Sequence, residues 1–122
     1  MPESKFHRAS ALFEDIQYEL RPRLNYFIHG RNVLKPESIT DISFMRRMVE
    51  LSCKIMRFCL NDLNESRYTL ERSVIYSLIL AKMMSSLKVT FNRLTLLLQR
   101  YDELYPLENS EHIDLNELGF EI

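Results

Sequence analysis

Between Pro36 and Pro106 the chain contains neither glycine nor proline. A stretch of that length without either residue has almost no local means of making tight turns or sheet hairpins, so it must run as long helices joined by short polar turns. The rest of the composition agrees. The whole protein of 122 residues holds only two glycines and four prolines, with 46% hydrophobic and 27% charged residues. This length suits one domain, and a chain of that size buries about two-thirds of its unfolded surface.

Hydrophobic periodicity places the helices. Phe6, Ala9, Phe13, Ile16, Leu20, Leu24 and Phe27 form one stripe over residues 3–28, with a kink expected at Pro22. Gly30 is expected as a left-handed cap. A connection then runs through Pro36, and Ser38 followed by Asp41 resembles a capping box for a second helix reaching residue 63. That helix carries two stripes. Ile42, Met45, Val49, Cys53, Met56, Leu60 and Leu63 make one; Phe44, Met48, Leu51, Ile55 and Phe58 make the other. Two apolar faces put it at the centre of the fold.

The third region, residues 66–105, is the longest. Met84, Leu87, Phe91, Leu94, Leu98, Tyr101 and Tyr105 alternate spacings of three and four, and upstream Leu70, Val74, Ser77 and Ala81 are read as holding the same phase. One helix of about 60 Å fits this pattern; a break at Ser85-Ser86 is the alternative. The expected fold is all-α: an antiparallel bundle of three long or four shorter helices over residues 1–105, followed by a short acidic tail over 106–122. Two shorter helices cannot cover a continuous third one, so an overhang should expose part of its seam.

Sites for chemistry are missing from the pattern. His7, His29 and His112 lie in separate elements, and there is no Glu-x-x-His or Cys-x-x-Cys at ligand spacing. No nucleophile elbow or phosphate loop occurs. No catalytic, cofactor-binding or metal-ligating residue is therefore assigned, and neither an enzyme nor a small-molecule substrate is expected. Cys53 and Cys59 sit six apart on different sides of one helix, unsuited to a disulfide and consistent with buried free thiols in an intracellular, reducing setting, cytoplasmic or nuclear. No leader is read at the N-terminus, and no run approaches about 18 uninterrupted apolar residues, so a membrane partner is not expected.

The remaining features point to partners. The seam Met84, Leu87, Phe91, Leu94, Leu98 and Tyr101 is the expected interface of a protein–protein module, either self-associating or a subunit of a larger complex. Arginine outnumbers lysine eleven to five. Arg47, Lys54 and Arg57 share a face of the second helix, and Arg93 and Arg100 repeat by seven on the third. Such stripes can follow a phosphate backbone, which makes a nucleic-acid-binding accessory the runner-up function. The tail carries Glu108, Glu111, Asp114, Glu117 and Glu121 with no Lys or Arg. Taking those five from the 17 acids leaves 12 against 16 Lys+Arg, so the body is formally +4 and the tail −5. Ile113, Leu115, Leu118, Phe120 and Ile122 are too many apolar residues for a purely solvating tail; they are expected to dock on the basic body or on a partner.

Overall fold

The computed structural model describes residues 4–30 and 33–106. Over these the chain is all-helical: α1 (Lys5–His29), a short 3-10 turn (Pro36–Ser38), α2 (Ile39–Glu65) and α3 (Leu70–Leu104). No strand occurs among the described residues. The third region is one helix, unbroken at Ser85-Ser86.

Local chemistry sets each boundary. Ser4 caps α1 by accepting the His7 N–H at 3.0 Å, which satisfies a donor that has no partner inside the helix. Pro22 lies within α1 without ending it. Proline cannot bond the carbonyl four residues back, which is that of Tyr18; both residues are exposed, so water can take the freed oxygen. Gly30 stops the helix, but not as a left-handed cap. Its backbone is extended, at φ −75° and ψ 124°. Glycine is needed there because of crowding: an added Cβ would fall 2.2 Å from Val33 Cγ2 and 2.7 Å from the Tyr26 carbonyl oxygen.

The capping box expected at Ser38 does not form. Ser38 Oγ instead accepts the Lys35 N–H at 3.0 Å, closing the preceding 3-10 turn. Without glycine, the α2–α3 connection is built from side chains. Ser66 Oγ donates to Asp62 Oδ1 at 2.9 Å, Tyr68 Oη donates to Asp62 Oδ2, and Thr69 caps α3 by accepting the Arg72 N–H.

All three helices pack against one another. Contacts between α1 and α3 advance together along both helices: Ser4 with Tyr76, Arg21 with Ser86, Asn25 with Arg93, and the Ile28 carbonyl with Arg100. Those between α1 and α2 run in opposite order, from Phe6 with Cys59 through Gln17 with Ser52 to Arg23 over the Phe44 ring. The core contains Phe6, Phe13, Leu20 and Leu24 from α1, Ile42, Met45 and Val49 from α2, and Leu87, Phe91, Leu94 and Leu97 from α3. One end is closed by Tyr76, stacked on Phe6 with ring centroids 4.4 Å apart and edge-on to Tyr68. At the other end Tyr101 and Tyr105 each donate at 2.7 Å to the connecting loop, to the Pro36 and Leu34 carbonyls.

Helix lengths explain what stays uncovered. With 25, 27 and 35 residues, the helices span about 37, 40 and 52 Å. Because α1 begins opposite Tyr76, the first turn and a half of α3 projects beyond it. The overhang anticipated from lengths is therefore present, at the N-terminal end of α3.

Candidate functional site

The expected interface seam is mostly interior. Leu87, Phe91, Leu94, Leu98 and Tyr101 are all buried in the chain's own core; of the six, only Met84 is exposed. The seam cannot be presented to another chain while it holds α1 and α2 together. The reason lies in the spacing. From Ala81 to Met84 and from Met84 to Leu87 the steps are both three, so the upstream residues do not share the downstream phase. A helix at 100° per residue then turns Leu70, Val74 and Ala81 to the outside, while Tyr76, Leu80 and Met83 take their place in the core.

The apolar surface that α3 does present is its outer, N-terminal half. Leu70 is 83% exposed, Leu78 67%, Val74 53% and Ile75 47%. Between Arg72 and Lys82 no residue is charged. Side chains pointing out of a helix for two and a half turns without a single charge are unusual on a monomer's water-facing surface. This is the feature that periodicity alone missed; the uncharged run was its signal. Its order is also palindromic. Glu71, Ile75, Leu78 and Lys82 follow at spacings of four, three and four on one face, an acid at one end and a base at the other.

The same helix holds an 18-residue stretch of mean hydropathy 1.4, long and apolar enough by length and composition to cross a membrane, with 33% of it buried inside the fold. Counting uninterrupted apolar runs does not detect this, because Lys82, Lys88 and several serines are scattered through it. A core stripe on one face and an apolar strip on the other together raise the average.

The basic residues do not act as one surface. Arg93 donates to Asn25 Oδ1 at 3.0 Å, and Arg100 donates to the Ile28 carbonyl at 2.8 Å, where it caps the end of α1. Both are parts of the α1–α3 junction. Lys54 pairs with Glu50 at 3.7 Å, in water on both sides; Arg47 and Arg57 are exposed on α2. Arg21 joins the junction by donating to Ser86 Oγ. Along this junction lies a groove of about 560 Å³ whose lining includes His7, Glu14, Tyr18, Arg21 and Lys82.

Among the described residues no group of three or more His, Cys, Asp or Glu side chains is placed to hold a metal ion. Cys53 and Cys59 are free and buried. Burial pushes both thiols up to about 11, with Arg57 pulling Cys53 slightly back and Asp62 adding to the rise at Cys59. Neutral thiols of this kind are poor nucleophiles and poor ligands. The Tyr101 hydroxyl is likewise raised, chiefly by burial. Ile113, Leu115, Leu118, Phe120 and Ile122, expected to dock, lie outside the described residues.

Comparison with known proteins places the chain beside none of them: no family model matches, and no curated protein or solved structure is significantly similar.

Proposed function

We propose that the chain is a non-enzymatic helical assembly module, a three-helix up-down-up bundle that self-associates through the outer N-terminal half of α3. The observation that carries this reading is the uncharged, exposed strip Val74, Ile75 and Leu78, extended by Leu70 and bounded by Glu71 and Lys82. A second copy is the partner best suited to it. In an antiparallel pair about a two-fold axis, Ile75 of one copy meets Leu78 of the other, and Glu71 of one meets Lys82 of the other. Every favourable contact then occurs twice, as isologous symmetry requires. Each fully buried aliphatic side chain contributes about 1.5–3 kcal/mol, whereas the rim charge pairs chiefly set orientation.

Light scattering over a range of concentrations, combined with charge exchange, tests this. Glu71→Lys should weaken the dimer roughly tenfold by turning two attractive rim pairs into repulsive ones, and adding Lys82→Glu should restore it. A monomer at all concentrations, or a dimer indifferent to both changes, refutes the reading. Flotation with lipid vesicles by a protein that stays monomeric would assign the strip to a membrane surface instead. Nucleic-acid binding has weaker support, because Arg47, Lys54 and Arg57 lie on α2, with Lys54 beside Glu50, apart from Arg93 and Arg100 at the α1–α3 junction.

A further inference from the structure

We infer that the outer face of the junction between α1 and α3 is the seat of the chain's own acidic segment, residues 107–122, which returns along α3 from Pro106. The cations along this junction form a ladder, whose Arg21–Ser86 rung also lines the groove that holds Glu14 and Lys82. Ser86, Arg93 and Arg100 follow at intervals of seven on α3, and Arg21 is held at the Ser86 rung by its hydrogen bond. Seven helical residues rise about 10.5 Å. All three arginines donate to neutral acceptors, the Ser86 hydroxyl, the Asn25 amide oxygen and the Ile28 carbonyl, so those bonds leave their charge uncompensated.

The segment carries a matching ladder. Glu108, Glu111, Asp114 and Glu117 recur every three residues, and a polyproline-II strand turns once in three residues while rising about 9.3 Å, which puts all four on one side of it. Leu107 and Glu108 suffice to reverse the chain after Pro106. Glu111, Asp114 and Glu117 then fall opposite Arg100, Arg93 and Arg21. Glu117 is twelve residues from Tyr105, a reach of about 40 Å, against the roughly 28 Å of α3 separating Tyr105 from Ser86. The apolar side chains also have counterparts. Leu96 and Val89, exposed between the rungs, and Tyr18, exposed one turn before Arg21, receive Ile113, Leu115 and Leu118. The body's +4 and the segment's −5 agree in sign with this pairing. Glu14, in the lining near Lys82, bounds the seat at its far end.

The test uses the full chain with a nitroxide attached at Leu118→Cys, where the two natural thiols are buried and unreactive. At low salt the amide signals of Tyr18, Ser86 and Val89 should lose at least half their intensity, while those of Leu51 and Phe58 on α2 keep theirs. The loss should disappear in 0.5 M salt, and also in the triple variant Glu111→Gln, Asp114→Asn, Glu117→Gln, whose changes leave every described residue untouched. Unchanged junction signals, or a loss centred on another face, would overturn the assignment. So would an equal loss when the label is on one copy and the isotope on another, because the occupant would then come from a second chain.

Discussion

Gln17 is 3% exposed and donates to Ser52 Oγ at 3.0 Å, while Ser52 donates onward to the Met48 carbonyl. Those two bonds fix which end of the amide faces Ser52, and the other end, Oε1, has no partner among the described residues. A buried acceptor left unmet costs about 1–3 kcal/mol. Gln17→Met, of similar volume, should therefore leave stability unchanged or raise it by up to about 1 kcal/mol in urea unfolding; a loss beyond 1 kcal/mol would show that the oxygen is bonded. The two cysteines give a prediction in pH. Each thiol titrates near 9.0 when free and at about 11 in the fold. Their contribution is complete below pH 9 and is lost as pH rises through 11, because the unfolded chain releases its protons first. The slope is about 1.4 kcal/mol per thiol per pH unit across that window. Unfolding midpoints measured from pH 8 to 11 should fall accordingly, and Cys53→Ala should make the fall between pH 9 and 10 shallower; above pH 10 the raised Tyr68 and Tyr101 hydroxyls add a slope of the same sign.

At the scale of the element, the central question is which face of α3 does what. Phe91 and Leu94 are at most 1% exposed, enclosed by α1 and α2. Replacing either with Asp buries a charge without a partner, so the helical signal and the cooperative melt should be lost. A soluble, folded monomer from Phe91→Asp would contradict this packing. Helix class and approximate bounds were legible because the 3.6-residue stripes of α1 and α2 are long and, apart from Pro22 inside α1, the glycines and prolines of the described residues sit outside the α-helices; three helices or four stayed open at Ser85-Ser86. The face assignment of α3 was not. Large apolar residues occupy both sides of it, and hydrophobicity by itself cannot tell a core from an interface. The two consecutive steps of three around Met84 and the missing charges between Arg72 and Lys82 carry that distinction. Gly30 was legible as a stop but not in its mechanism, since crowding by Val33 depends on the loop's path.

For the whole molecule, the different helix lengths separate stability from association. The core is complete within one chain, while the strip at Leu70, Val74, Ile75 and Leu78 contributes little to it. Leu78→Asp should accordingly abolish the concentration-dependent rise in mass and leave the melting temperature of the dilute protein within a few degrees. If the variant unfolds instead, the strip belongs to the core and the assembly reading fails.

The parallel course of α1 and α3 also bears on how the chain is made. The contacts that join them link residues separated by 65 to 72 positions. During synthesis α1 and α2 emerge first and can pair, but the side of that hairpin meant for Leu87, Phe91 and Leu94 stays wet until α3 has left the ribosome. Long loops are slow to close, so the nascent hairpin is the stage at which this protein is most in need of a chaperone.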